Sequence, residues 1–167
     1  VMDSLYYNNE AGQVIKQIFA NEQDGLPQPE PLFNIIQVPH RSFARIFQPM
    51  RNVLFINIDP ENKLKLTVRK DVWSMSQLVV TITAPSEQLA IETITKNKEV
   101  LLDYFNDQEI ARLQAKFNVN ANSKNAQFIN EKFGLTINLD ELYTVAKEGK
   151  DFLWMRKDKT AGGHQIS

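Results

Sequence analysis

One segment near the middle of the chain restricts the possible folds more than any other. Between residues 77 and 83, the apolar side chains of Leu78, Val80 and Ile82 fall at every second position. This period of two is typical of a strand that buries one face. Ser86 follows as a natural helix cap, with a glutamate suited to the first turn. The segment therefore predicts a strand that leads directly into a helix.

Two earlier segments alternate in the same way. Residues 52–58 and 63–72 place apolar side chains at even-numbered positions, and a turn at residues 59–62 separates them. Short strands joined by tight turns favour antiparallel pairing with one buried face. We therefore predict an α+β fold: an antiparallel sheet meander with helices packed on one face, in a ferredoxin-like two-layer arrangement. The even-numbered side chains of the three strands should face the helices.

Helical spacing and turn residues predict the other elements of the first two thirds of the chain. We expect a first helix over residues 10–21, a short strand over 33–38, and one or two helical turns over 42–47. The helical region after Ser86 should break or bend near Asn106, because Asn106 can cap a new helix and the glutamate three positions later can reach back.

The C-terminal part combines helix and strands again on a smaller scale. A helix over residues 125–133 should end at Gly134, which suits a left-handed cap. Residues 135–139 alternate like a strand, and residues 142–146 and 152–156 are predicted to form a hairpin.

These patterns predict the domain organisation. Residues 1–120 form the main α+β domain, residues 121–158 begin a second α+β unit, complete or not, and residues 159–167 form a flexible tail. The start Val1-Met2-Asp3 suggests a chain that was processed or cut from something longer.

Composition argues against several classes of function. The net charge of −1 gives no basic surface for nucleic acid, and the chain contains no cysteine for disulfides, thiol catalysis or thiolate metal sites. Its two histidines, His40 and His164, cannot form a multi-histidine zinc centre. No apolar run reaches membrane-spanning length. We expect no metal site, no cofactor and no nucleic-acid partner.

Several short segments together resemble an uncharacterised family of Bacteroidetes envelope proteins, known as a domain of unknown function. The resemblance lies in residues 25–31, 51–54, 69–73, 77–85, 102–105 and 152–156. It implies a lipoprotein, in which a signal peptide and a lipidated cysteine precede a soluble domain. The lipid tether would then lie outside this chain. The family has no established activity, so the resemblance implies no catalytic residue.

The strongest candidate site lies where the second predicted strand ends. By strand parity, Arg69, Asp71 and Trp73 share a face and could offer a polar platform with an aromatic wall to a sugar or peptide. The simpler interpretation is an Arg–Asp pair with Trp73 closing the edge of the core. Phe55 lies on the same outer face as Val79, and both are apolar enough to need a cover. The rest of the sheet is the simplest cover.

Other candidates are weaker. His40 beside Arg41 resembles a general base next to an anion-binding group, but a surface or capping role is the simpler interpretation. The acidic turns at residues 59–61 and 138–141 lack the ligand ladder of a calcium loop. The proline-rich residues 27–31 suit a rigid spacer better than a ligand for a proline-binding groove.

From these observations we expect a non-enzymatic, envelope-associated binding or assembly module, held by a lipid anchor on the periplasmic or surface side. Its partner would be a protein, a peptide or a glycan. Arg69, Asp71, Trp73 and Phe55 are the candidate ligand-binding residues, and we assign no catalytic residue. One alternative is an enzyme that uses Arg69 with Asp71, or His40, as acid–base groups. Another is a structural fragment of a longer lipoprotein.

Overall fold

The computed structural model describes residues 1–23, 25, 27–119, 123–140 and 142–157. The chain divides into two compact units, Val1–Glu109 and Ile110–Ser167. Each unit has a small sheet, so the predicted α+β class is confirmed. The tail expected over residues 159–167 lies outside the described residues. No helix in the described ranges is both long and apolar enough to span a bilayer.

The first unit contains a three-stranded sheet and several helices, and its last helix continues past the division. Its elements are α1 (Ser4–Tyr7), α2 (Glu10–Phe19), β1 (Asn52–Ile58), β2 (Lys65–Lys70), β3 (Leu78–Ala84), α3 (Glu87–Lys96) and α4 (Lys98–Val119). A short 3-10 turn, His40–Ser42, precedes β1.

The strand order of this sheet is β1-β3-β2, with β1 parallel and β2 antiparallel to β3. It differs from the predicted meander, in which β2 would lie between the other two. The composition of the strands explains the order. β3 buries apolar residues on both faces and takes the centre, whereas β2 carries the exposed Lys65, Arg69 and Lys70 and takes an edge.

The predicted parity of the strands is confirmed. Even-numbered side chains from all three strands join one hydrophobic core with the helices. Ile56 and Val80 are buried in it, and Leu66 packs against it. On the helical side, Phe105 of α4 makes edge-on ring contacts with Phe19 of α2 at 5.8 Å and with Phe33 at 6.1 Å.

The start of α3 also follows the sequence prediction. The Ser86 hydroxyl accepts a hydrogen bond from the Leu89 backbone N–H at 3.3 Å, as a helix cap should. Glu87 has a further role, because its carboxylate accepts from the Ala11 backbone N–H at 3.1 Å. One unpaired N–H of the first turn of α2 is thereby satisfied from a neighbouring helix.

The break or bend predicted near Asn106 does not occur as a break. α4 runs through this position without interruption, and the change of helix occurs at Asn97, which ends α3. Glu109, which was expected to reach back to a cap, has other partners. Its carboxylate accepts from the Asn52 side chain at 2.8 Å and lies 3.5 Å from the Arg51 guanidinium.

The strand predicted over residues 33–38 is also wrong, because these residues belong to no strand. The chain here is instead tied to the residues at the end of α2. The Phe33 N–H donates to the Phe19 carbonyl at 2.9 Å, and the Leu32 N–H donates to the Asn21 carbonyl at 2.8 Å. The helical turns predicted nearby correspond in part to the 3-10 turn before β1.

The second unit contains α5 (Ser123–Phe133) and a hairpin of β4 (Tyr143–Glu148) and β5 (Leu153–Lys157). The predicted hairpin is confirmed. Gly134 ends α5 with a φ of +66°, and its N–H donates to the Asn130 carbonyl at 2.8 Å, which confirms the predicted cap. The strand predicted over residues 135–139 is wrong, because these residues pair with no strand.

An ion pair fixes the hairpin of the second unit. The Asp140 carboxylate accepts from the Lys157 ammonium at 2.7 Å and from the Leu142 N–H at 3.0 Å. The bond from Lys157, assisted by the one from Leu142, lowers the pKa of Asp140 below its ordinary value. The same bond raises the pKa of Lys157. Asp140 therefore serves the turn rather than a calcium loop.

Candidate binding site

A cavity of about 520 Å³ lies beside the outer edge of β1, within the first unit. Its walls are mainly apolar and come from both faces of the sheet edge. The helical side contributes Ile15, Phe19 and Phe105, and the opposite side contributes Phe43, Phe47 and Val53.

Two stretches of the chain line this cavity: β1 and residues 32–38, which we call the facing segment. We call the space between them the slot.

One end of the slot holds the first residue of the chain, bonded to β1. The Val1 nitrogen donates to the Leu54 carbonyl, and the Ile56 N–H donates to the Val1 carbonyl at 2.9 Å. These two bonds are the pattern of a parallel ladder. Val1 therefore lies on β1 as a strand residue would.

The next residue bonds to the other side of the slot. The Met2 N–H donates to the Val38 carbonyl at 3.1 Å, and the Gln37 amide donates to the Met2 carbonyl at 3.0 Å. Val1 and Met2 thus join β1 to the facing segment through backbone groups. Both residues line the cavity.

Three neighbouring polar residues also line the cavity. Glu109 lies between Asn52 and Arg51, which both contact its carboxylate, and all three residues line the cavity. Glu109 is held as the centre of a polar cluster rather than presented as a general base. An apolar pocket with a few fixed polar groups is typical of a binding site.

Burial lowers the pKa of the Val1 amine from 8.0 to about 6. In a polypeptide that starts at Val1, the unfolded chain therefore binds more protons than the folded chain between these two values, so stability rises with pH there. We expect up to about 3 kcal/mol less stability below this range than above it. Denaturant unfolding at several pH values measures the difference.

Acetylation of the Val1 nitrogen supplies the control. The acetylated nitrogen keeps an N–H that can donate to Leu54, but it cannot be protonated. We expect its stability to be flat across the same range, and an unchanged pH slope after acetylation would contradict the assignment.

Two of the four residues proposed from the sequence come together in an aromatic group, formed by Phe43, Phe47, Phe55 and Trp73. The ring of Phe43 lies 4.9 Å from that of Phe55 and 5.5 Å from that of Trp73, between centroids. Phe55 and Trp73 are 6.1 Å apart. Trp73 remains 40% exposed at the margin of this group.

The other two proposed residues, Arg69 and Asp71, lie exposed near the end of β2, and neither lines the cavity. Within the described residues no hydrogen bond or ion pair joins them. Strand parity does not reach Asp71, because β2 ends at Lys70 and Asp71 has a φ of 54°. Its N–H donates to the Gln77 carbonyl at 3.0 Å, which closes the turn between β2 and β3.

Asp71 adopts the left-handed conformation that favours glycine. We expect Asp71→Gly to fold at least as stably as the parent, whereas Asp71→Ala should be about 1 kcal/mol less stable than Asp71→Gly. Urea unfolding of the two variants provides the measurement. Equal stability of the two would contradict a conformational role for this position.

His40 lies beside the aromatic group, with its ring 6.3 Å from that of Phe55. Its Nε2 atom is buried and has no hydrogen-bond partner among the described residues. A catalytic base needs a partner that orients it or a group to deprotonate, and this contact with a phenyl ring supplies neither.

The outer face of the sheet is covered by residues 40–50, so the expected cover by further strands is wrong. The buried side chain of Gln77 fastens this cover. Its side-chain NH2 group donates to the backbone carbonyls of Gln48 at 2.5 Å and Met50 at 2.7 Å. Its side-chain oxygen accepts from the backbone N–H of Trp73 at 3.0 Å. The alternation of residues 77–83 would by itself put Gln77 on the outward, polar side of the strand, so its burial was not predicted from the sequence.

Sequence reasoning also missed the cavity. The one available signal was the facing segment, since five of its residues are too apolar for a solvated connection. These residues are Leu32, Phe33, Ile35, Ile36 and Val38.

No group of three or more histidine or acidic side chains able to hold a metal ion occurs in the described part of the chain. The acidic turn before β2 is accounted for, because the Asp59 carboxylate accepts from the Glu61 N–H at 2.9 Å. This bond is the ordinary one of an aspartate-stabilised turn.

Comparison with known proteins places the chain in a family. Neither a search of curated proteins nor a search of solved structures finds a match. One family profile, described as a domain of unknown function (DUF8532), matches residues 1–118 of the 167. The match covers the whole first unit and most of α4, which includes the cavity and the aromatic group. The chain therefore belongs to the DUF8532 family.

Proposed function

We propose that this protein is a non-enzymatic binding or assembly module, and that the cavity beside β1 is its binding site. The observation that carries the proposal is the cavity itself, which has about 520 Å³ of space between apolar walls. This volume lies within the range of roughly 300–1,000 Å³ that is typical of ligand sites. The polar cluster around Glu109 adds fixed polar groups to this lining, and such groups orient a bound ligand.

We also propose that the module works at the cell envelope, held by a lipid anchor outside this chain. Support comes from the sequence resemblance to Bacteroidetes envelope lipoproteins. Fractionation of cells that express the full gene, combined with labelling by a fatty acid, tests the location. An unlabelled protein in the soluble fraction would contradict it.

A hydrophobic fluorescent dye tests the binding site without assuming the ligand. Ile36 lines the cavity and is 65% exposed, so Ile36→Trp should fill the space without disturbing the core. Ile46 is 74% exposed and does not line it, so Ile46→Trp is the matched control. We expect saturable binding of 1-anilinonaphthalene-8-sulfonate that Ile36→Trp weakens about tenfold or more. Equal effects of the two variants would place the dye elsewhere.

The enzymatic alternative requires Arg69 with Asp71, or His40, to act on a substrate. The exposed, separate positions of Arg69 and Asp71 support the binding proposal over this alternative. Turnover on a panel of hydrolase and transferase substrates, lost in Arg69→Ala or Asp71→Gly, would overturn the proposal.

A further inference from the structure

We propose that two neighbouring turns at one end of the three-stranded sheet bind the surface of an anionic lipid bilayer. The first turn comprises residues 44–50, before β1, and the second comprises residues 71–77, between β2 and β3. We call them the paired turns. The inference goes beyond the proposed function, because it assigns a second kind of ligand to side chains that do not line the cavity.

Hydrogen bonds fix the paired turns side by side. The Ser74 hydroxyl donates to the Pro49 carbonyl at 3.5 Å. The side chain of Gln77, at the end of the second turn, donates to the carbonyls of Gln48 and Met50 in the first. Exposed side chains on the two turns are therefore presented from the same end of the sheet.

The first support is the apolar surface of these turns. Met75 is 92% exposed and Ile46 is 74% exposed, which makes them the two most exposed large apolar residues in the described part of the chain. Side chains this exposed project from the surface instead of lining a groove, which suits insertion into a soft lipid layer. Trp73, partly exposed on the second turn, is of a residue type favoured where lipid meets water.

The second support is charge. Residues 41–51 and 69–77 carry five arginine or lysine residues and one acid, whereas the rest of the first unit carries five and thirteen. Four of the five cations are exposed and, within the described residues, form no ion pair: Arg41, Arg45, Arg69 and Lys70. An anionic surface attracts this end of the unit and repels the remainder, so charge orients the paired turns toward the lipid.

The backbone of the first turn favours a lipid surface over a peptide as the partner. Four consecutive carbonyls, from Phe47 to Met50, accept hydrogen bonds within the chain. The N–H groups of Phe47 and Met50 donate to the carbonyls of Ala44 and Phe47. Backbone groups that are already paired lose no hydrogen bond in the poorly hydrated interface of a bilayer. A peptide adding to the main chain would instead need groups that are free to pair.

Vesicle binding by the 167-residue chain, without any attached lipid, tests the inference. Vesicles of phosphatidylglycerol with phosphatidylethanolamine supply the anionic surface, and phosphatidylcholine vesicles supply a neutral one. Co-sedimentation measures affinity. In Trp154→Phe, Trp73 is the only tryptophan left, so quenching by lipids brominated on their acyl chains measures insertion of the paired turns. We expect binding to the anionic vesicles, weakened by salt, with quenching of Trp73.

One pair of double variants tests the apolar contribution. Ile46→Ser with Met75→Ser should weaken binding at least about tenfold, because two inserted side chains are lost. The matched control is Leu5→Ser with Leu64→Ser, which removes two exposed leucines from other parts of the first unit. We expect the control to bind as the parent does.

A second pair tests the charge contribution. Arg45→Gln with Lys70→Gln should weaken binding at least about tenfold at low salt. The matched control, Lys96→Gln with Lys98→Gln, removes two exposed lysines at the junction of α3 and α4 and should leave affinity unchanged.

Several results would overturn the inference: equal losses in the test and control pairs, equal affinity for neutral and anionic vesicles, or binding without quenching of Trp73. A chain that binds polyglutamate but no vesicle would also overturn it, since the face would then serve an acidic polypeptide. Ile46, Met75, Arg45 and Lys70 do not line the cavity, so dye binding there tests the proposed function separately.

Discussion

Replacement of Gln77 by leucine is expected to lower the free energy of unfolding by about 3 kcal/mol. The side chain is fully buried and uses both its donor and its acceptor groups. Leucine has a similar size but leaves the carbonyls of Gln48 and Met50 and the N–H of Trp73 without this partner. Each group left unsatisfied costs about 1–3 kcal/mol, reduced where water reaches it.

Denaturant unfolding of Gln77→Leu beside Gln88→Leu provides the comparison. Gln88 is exposed, and its amide bonds to Glu92 at 3.0 Å on the surface of α3. We expect the control to change stability by less than about 0.5 kcal/mol. Comparable losses in the two variants would show that the buried amide does not fasten the cover.

Gln77 also connects stability with the binding site. Its hydrogen-bond partners Gln48 and Met50 lie at the C-terminal end of residues 40–50, the segment that covers the outer face of the sheet. Met50 and Phe47 of this segment also line the cavity. Loosening this segment should therefore enlarge the cavity on the side opposite the helices. We expect Gln77→Leu to weaken ligand binding as well as the fold, even though Gln77 lies outside the cavity.

The sequence predicts local features of the sheet well because their cause is local. Successive side chains of a strand must point to opposite faces, so apolar residues at even positions of β1 and β3 identify the helical side. The order of strands has a different cause. It depends on which strand buries both faces, and this becomes visible only when Val79 is seen to be buried on the outer face.

The candidate site was harder to predict because its parts are far apart in the chain. The cavity combines Val1, the facing segment, β1 and Phe105, and none of these carries a catalytic or ligand-binding motif. The strand parity used to group the proposed residues was wrong for a local reason: extending it to Asp71 and Trp73 required β2 to continue past Lys70, where the backbone instead turns.

The covers on the sheet favour binding at its edge over binding on its face. The helices bury one face, and residues 40–50 with the aromatic group cover the other near Phe55. A platform on the outer face would have to displace this cover. The cavity beside β1 requires no such displacement, which supports the proposal that it is the binding site.

Ile82→Ala should cause the largest loss of stability in the chain, about 3–4 kcal/mol. Ile82 is fully buried at the centre of β3, in register with Ile56 on one side and Leu66 on the other. Truncation removes three methyl or methylene groups and leaves a cavity that the flanking strands cannot close. Thr83→Ala, one residue along on the opposite face, should cost less than about 1 kcal/mol.

The comparison tests the geometry on which the slot depends. Register places Ile56 and Ile82 side by side, so the parity that buries Ile82 also decides which backbone groups of β1 face outward. A cost at Thr83 as large as that at Ile82 would contradict the parity of β3, and with it the placement of Ile56 and the other even-numbered side chains on the helical side.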